Sequence, residues 1–235
     1  FDKMYATVTS MLAKSGTIEH PYLKPQASGK KAVIVVTSNR GLAGGYNASV
    51  IKLITGSDLK PDDLLLYTVG NKGKEYFQHR EYTIAKDYSE VIENPMFSDA
   101  KEICEEVLGG YAAGEISEIY LAYTYFKNTV VHEPKLLKLL PVEIEEADIE
   151  AAKADSLMNY EPEETEALEI IIPKYVTSIL YGALVEAIAS ENGARMQAMD
   201  SATSNAQDMI DHLTLQYNRA RQGSITQELT EIIAG

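Results

Sequence analysis

Cysteine occurs once in the 235 residues, at Cys104. A single thiol excludes an internal disulfide and a cysteine-rich zinc site, and it points to a reducing compartment. Bases are also scarce: 21 Lys and Arg face 35 Asp and Glu, for a net charge of −14. Attraction to phosphate backbones needs a basic stripe, and none is present, which argues against nucleic acid as a partner. No apolar run is long enough to cross a bilayer. The nearest, YVTSILYGALVEAIA (175–189), carries Thr177, Ser178 and Glu186, so no direct membrane insertion is expected. Phe1-Asp2-Lys3-Met4 opens into amphipathic sequence, not into a secretory leader. The four histidines, His20, His79, His132 and His212, lack metal-ligand spacing. No Ser/His/Asp order or paired carboxylates stand out, so no catalytic residue, cofactor or metal is expected.

What is present is unevenly spread. Between Glu143 and Glu169 there are eleven acids and one base, Lys153. This segment, 143–169, reads as a solvated acidic loop. The first residues, FDKMYATVTSMLA, place Phe1, Met4, Tyr5, Val8, Met11 and Leu12 on one helical face. With no N-cap before Phe1, residues 1–15 read as the tail of a longer helix whose beginning is absent. Gly16, Pro21, Pro25 and Gly29 then mark a linker over 16–29.

The middle, 30–165, has an α/β texture. AVIVVT (32–37) and LLLYTV (64–69) are runs of buried-strand type, and a third strand is expected over 82–85. Helices are expected at 48–54, 74–79 and 98–111. Runs at 117–126 and 130–142 flank Lys127-Asn128-Thr129 as a hairpin. The alternation implies an α/β fold with a mainly parallel, Rossmann-like sheet, one antiparallel member and flanking terminal helices.

From 166 to 235 the texture changes to a long shaft helix. No proline follows Pro173, which itself suits a first turn or a break. A helix over 174–234 would be on the order of 90 Å long. Its later half carries an apolar and small-residue seam: Met199, Ala202, Ala206, Met209, Leu213, Tyr217 and Ala220. The steps of three and four average 3.5, the period of a left-handed coiled coil. Such a seam needs a partner helix, and residues 1–15 would cover only about 20 Å of it.

Thr37 to Asn47, TSNRGLAGGYN, raises the question of a phosphate cradle. A P-loop ends in G-K-[ST], whereas Gly45 is followed by Tyr46 and Asn47. A dinucleotide fingerprint is G-x-G-x-x-G, whereas the glycines here are Gly41, Gly44 and Gly45. The stretch therefore reads as a tight strand-to-helix turn, its glycines supplying positive φ and close packing. The rival reading is a nucleotide- or phosphate-binding α/β protein with a helical oligomerisation arm. Cys104, beside Ile103 and Val107, reads as buried filler.

Two blocks, VTSNRGLAGGYN (36–47) and YNRARQGSITQELTEI (217–232), are long and specific. With them the whole chain resembles the gamma-subunit family of rotary ATP synthases. The resemblance implies a central stalk whose N- and C-terminal helices wind into an antiparallel coiled coil. That shaft turns inside a ring of alpha and beta subunits, coupling proton-driven rotation to conformational change in beta, where the ATP chemistry occurs. The α/β domain would sit at the base, beside the epsilon subunit and the membrane c-ring. A peripheral position on the cytoplasmic face of a bacterial plasma membrane follows.

The resemblance also assigns contacts. Arg221, Gln222 and Thr226 share one helical side, and spacing alone would leave them a solvated face. The matching family positions meet acidic loops of beta. Tyr160 and Glu161, before Pro162, read either as a loop turn or, by the resemblance, as a contact with epsilon and the c-ring. The chain departs from the family in lacking the helix before Phe1 and the few residues usual beyond Gly235. Gly223 stands where relatives usually carry Ala, and Ala43 where many carry Cys. With Cys104 alone, the regulatory cysteine pair of chloroplast relatives is missing.

Overall fold

The computed structural model describes residues 21–23, 26, 28–142 and 164–235. The expected helix remnant 1–15, most of the linker 16–29 and most of the acidic segment, with Tyr160 and Glu161, lie outside the described residues. Five strands form one sheet: β1 (Lys30–Val36), β2 (Leu64–Val69), β3 (Ile84–Asp87), β4 (Ile116–Phe126) and β5 (His132–Leu140). Among the described residues four α-helices accompany them: α1 (Tyr46–Thr55), α2 (Asn71–Gln78), α3 (Phe97–Ala112) and α4 (Glu164–Ala234).

The strand order is β3-β2-β1-β4-β5. β1 is central because its β-branched run can be buried on both faces. It lies parallel to β2, with Ala32 opposite Leu65, and parallel to β4, with Ala32 opposite Ile119. β2 and β3 are also parallel, and β4–β5 is the antiparallel hairpin. The sheet is thus mixed. The alternation of strand side chains splits the core in two. Ala32, Ile34 and Val36 pack with α3 and the first part of α4. Val33 and Val35 pack with Val50, Ile51 and Ile54 of α1 and Phe77 of α2.

Some boundaries differ from the sequence expectation. β3 begins at Ile84; Tyr82 instead stacks edge-on against Phe77, with ring centroids 5.0 Å apart. α2 starts at Asn71 and takes in Gly73. The Gly73 N–H donates to Thr37 Oγ1 at 2.9 Å, and a Cβ there would lie 2.8 Å from that oxygen. Gly70, at φ +102°, sits where a Cβ would overlap the Thr37 carbonyl. Glycine is required here by close approach of two βα turns, which local pattern cannot reveal.

α4 runs unbroken for 71 residues with Pro173 inside it. Pro173 brings no N–H to the Glu169 carbonyl. Burial of Ile172 and Val176 on either side holds the helix through the gap, and Thr177 Oγ1 donates to the Pro173 carbonyl at 2.8 Å. By length and composition α4 contains a window apolar enough to cross a membrane, but half of that window is buried within the chain, as in any core helix.

Candidate functional site

α4 changes character along its length. Leu168, Ile172, Tyr175, Val176, Ile179, Leu180, Ala183, Leu184, Ala187 and Ser190 are buried. Their spacing of three and four residues keeps one stripe against the sheet and α3. Gly193 is the last buried residue, Ala198 is partly covered, and every residue from Met199 onward is exposed. At ~1.5 Å per residue the bare portion projects about 55 Å.

The seam predicted from sequence lies on that bare portion. At about 100° per residue its members fall within an arc of about 80°, so they form one stripe. Met209, Leu213 and Tyr217 are 68%, 62% and 66% exposed. Among the described residues none covers them. Local bonds support the bare helix: the hydroxyls of Thr203, Thr214, Thr226 and Thr230 each donate to the carbonyl four residues back. Gln207–Asp211 and Gln227–Glu231 pair one turn apart.

Arg221, Gln222 and Thr226 are all exposed on this portion. The Thr226 proton is committed to the Gln222 carbonyl at 2.8 Å. Thr226 therefore offers an outside group only lone pairs. The Arg221 guanidinium and the Gln222 amide are the donors that face outward. Gly223 has no atom within 4 Å of where a Cβ would be, so no close contact in this chain calls for glycine there.

Side-chain hydrogen bonds close the glycine turn. Asn47 Oδ1 accepts from the Ser38 N–H at 2.9 Å, and Asn47 Nδ2 donates to Ser38 Oγ at 2.8 Å. Of the three glycines only Gly44, at φ +55°, has positive φ; Leu42 carries the other left-handed conformation, at φ +63°. Gly45 has φ −84° and a Cβ at Gly41 would meet nothing. Within the turn, positive φ falls on Gly44, while Gly41 and Gly45 have room for a Cβ. A cleft of about 330 Å³ lies between this turn, β4, β5 and α4, lined by Gly44, Gly45, Ser49, Thr124, His132 and Gln197 among others. No Lys or Arg lines it among the described residues, so it lacks the cation with which a P-loop holds phosphate.

Around the cleft the structure gathers residues that sequence reading did not connect. The Tyr46 hydroxyl donates to the Ala187 carbonyl at 3.2 Å across 141 residues of chain. Burial pushes that phenol's pKa upward. Ser190 Oγ donates to the Thr124 carbonyl at 3.3 Å. A Cβ on Gly193 would lie 2.7 Å from the His132 ring. The nearest available signal was the aromatic residue after the glycine pair, which begins α1.

Other titratable groups serve the fold. Burial lifts the Cys104 thiol to about 12, in keeping with buried filler. Burial would raise Glu118, but hydrogen bonds from Lys31, Lys138 and Tyr120 outweigh it and hold the carboxyl at about 2. Its ion pairs, 2.8 Å to Lys31 and 3.0 Å to Lys138, tie β1, β4 and β5 together. Burial raises Glu186, whose Oε2 has no hydrogen-bond partner. His212 is exposed beside the seam. No group of three or more His, Cys, Asp or Glu side chains suited to a metal occurs among the described residues.

The family described as ATP synthase matches residues 1–235. The ATP synthase gamma chain of Lachnoclostridium phytofermentans is 62% identical over 241 residues, covering all of this chain and 83% of that protein. The sodium-ion-specific ATP synthase gamma chain of Acetobacterium woodii is 40% identical over 251 residues, with the same coverage. Among solved structures, a chain of the Euglena gracilis mitochondrial ATP synthase OSCP/F1/c-ring matches with a TM-score of 0.67 at 16% identity. That match covers 99% of this chain and 86% of the other. A chain of the Tetrahymena thermophila central stalk and c-ring matches with a TM-score of 0.57 at 24% identity, covering 85% and 99%. These two likenesses speak to the fold.

Proposed function

Because the chain belongs to the ATP synthase gamma-chain family, we propose that the bare half of α4 is the working surface of a rotor shaft. The chain is a central-stalk subunit of the membrane-associated ATP synthase, and a non-catalytic one. One observation carries the surface assignment. A single helix packs against the rest of the fold through Gly193 and then continues, exposed, from Met199 to Gly235, with an apolar stripe of coiled-coil period. Apolar stripes of this length stay exposed only when a partner is to cover them.

On this reading Met199, Ala202, Ala206, Met209, Leu213, Tyr217 and Ala220 pack on a second helix, to which residues 1–15 contribute one end. Arg221 and Gln222 turn outward to acidic side chains of beta, for which a guanidinium fork and an amide are suited donors. Thr226 packs beside them. Tyr160 and Glu161 meet epsilon and the c-ring, which puts the complex's foot at the cytoplasmic face. Residues 30–165 act as a Rossmann-like platform, with the doubly wound strand order but without a nucleotide site, and 166–235 as the shaft. Gly41, Gly44 and Gly45 belong to the platform's turn.

Rotation changes beta only if the shaft touches its states unequally, and an asymmetric stiff helix supplies that inequality. The test is reconstitution of the complete protein with alpha and beta. Co-purification and Mg-ATP hydrolysis are expected, with weaker binding for Arg221→Glu. A well-folded complete chain that does not join alpha and beta sinks the proposal. Calorimetric titration of Mg-ATP into the chain is expected to show no binding. Binding that is lost on replacing Gly44 and Gly45 would restore the nucleotide-site reading.

A further inference from the structure

We propose that Tyr46, Ser190, Gly193 and His132, with the Gly44 turn, form the joint that passes torque between the sheet and the bare half of α4. The inference rests on the central-stalk reading. Every residue of α4 from Met199 on is exposed, so among the described residues a turning moment can enter or leave the sheet only before that point. The last attachments come from four different elements. α1 supplies the Tyr46 hydroxyl to the Ala187 carbonyl, 3.2 Å. β4 supplies the Thr124 carbonyl to Ser190 Oγ, 3.3 Å. β5 supplies the His132 ring, against which Gly193 lies too close for any side chain. The glycine turn supplies Gly44, where a Cβ would stand 3.8 Å from Ala198 Cβ.

These attachments span Ala187 to Ala198, about 16 Å of helix. They act at the helix surface, off its axis, which is where a contact resists rotation of the helix about itself. The Tyr46 side chain is buried, and the His132 ring fills the notch at Gly193, where a Cβ would stand 2.7 Å from it. The apolar side chains of the inner part of α4 interdigitate with the sheet and α3 and resist slippage over that length. A buried hydrogen bond and a wedge in a glycine notch give the joint a register.

The test uses the assembled enzyme in vesicles, carrying the complete chain, and reads ion pumping per ATP hydrolysed. Tyr46→Phe with Ser190→Ala loosens the joint. Each lost hydrogen bond raises the slipped population about fivefold. The pumping-to-hydrolysis ratio is expected to fall while assembly and hydrolysis persist. Gly44→Cys with Ala198→Cys places two Cβ atoms at the ~3.8 Å typical of a disulfide. The one native thiol within these 235 residues, Cys104, is buried. Oxidation of this pair is expected to restore the ratio in the loosened protein, and a reductant to lower it again. In the otherwise native protein the oxidised pair is expected to leave the ratio unchanged. An unchanged ratio in the loosened protein, or loss of pumping in the locked native one, overturns the joint. If the unaltered complete chain assembles but never pumps, the central-stalk reading fails instead.

Discussion

The inner and outer halves of α4 share a backbone and differ in what surrounds them. The inner half buries Leu168, Ile172, Val176, Ile179, Ala183, Ala187 and Ser190, a stripe near the 3.6 period of a straight helix lying on a sheet. The outer half carries its stripe from Met199 to Ala220 at 3.5, the period of a helix wound with another. Helix formation is cooperative, so a half nucleated on a sheet can extend a half that is not. The inner half is therefore held by tertiary burial and the outer by propensity, local side-chain bonds and attachment at the joint. Substitutions should separate the two. Leu184 is fully buried, and Leu184→Ala is expected to cost about 2–5 kcal/mol in urea unfolding of this chain. Leu213→Ala, on the outer half, should fall within about 0.5 kcal/mol. Equal costs would mean that the outer half is covered in solution.

The same comparison can be broken from the sheet side. Gly70→Ala forces a methyl onto the Thr37 carbonyl at positive φ, so the platform under the inner half must shift. A loss of about 2–4 kcal/mol is expected, well above the ~1 kcal/mol for Gly44→Ala, which meets only ordinary contact. Both are read by thermal melting. A larger loss at Gly44 would make the glycine turn, not the Thr37 crossing, the constrained place.

That contrast also marks what was legible in sequence. β1, β2 and the hairpin followed from their apolar runs, because a strand buried on both faces leaves a continuous signature. The apolar stripe from Met199 to Ala220 is legible in period alone. The sequence pattern starts α2 at 74, beyond Gly73, because the reason for that glycine, Thr37 Oγ1, is 36 residues away. Pro173 read as a first turn or a break because the burial that overrides it is tertiary. The local bond from the Thr226 hydroxyl to the Gln222 carbonyl has no signature in residue type alone. The joint at Tyr46, Ser190 and Gly193 was invisible for the same reason as Gly73. Its partners are brought together by sheet topology, and no spacing rule connects residues on α1, β4, β5 and α4.

Acid should act on the halves differently. Glu118 has its folded pKa depressed from 4.5 to about 2. Its contribution is fully present above about 4.5 and is lost as pH falls toward about 2. Partial exposure of its lysine partners limits the effect to about 1 kcal/mol. Glu186 runs the other way: burial raises it, so its folded state is favoured at low pH and penalised as pH rises through the raised value. Near-UV circular dichroism from the sheet tyrosines should therefore fade in acid before the far-UV helix signal of the outer half. Glu118→Gln should flatten that fading, and Glu186→Gln should raise the melting temperature slightly at neutral pH. Simultaneous loss of both signals would show that the halves unfold as one unit.

The smallest expected effect bears most directly on whether the outer half stands by itself. Gly223 lies in an exposed stretch with no neighbour within 4 Å of a Cβ. Gly223→Ala therefore changes helix propensity and nothing else, a gain of about 1 kcal/mol. If the outer half is held by propensity, that gain stays local. Helical signal and amide protection should rise around residues 217–235, while the melting temperature of the sheet and inner half stays where it was. If the gain instead appears in the global melt, the outer half is coupled to the core, and the joint transmits stability as well as torque. The substitution also stiffens the helix between Arg221 and Thr226. In the assembled enzyme the same change should leave binding to alpha and beta intact, because the donors keep their places on the helix and only the backbone's freedom between them is reduced.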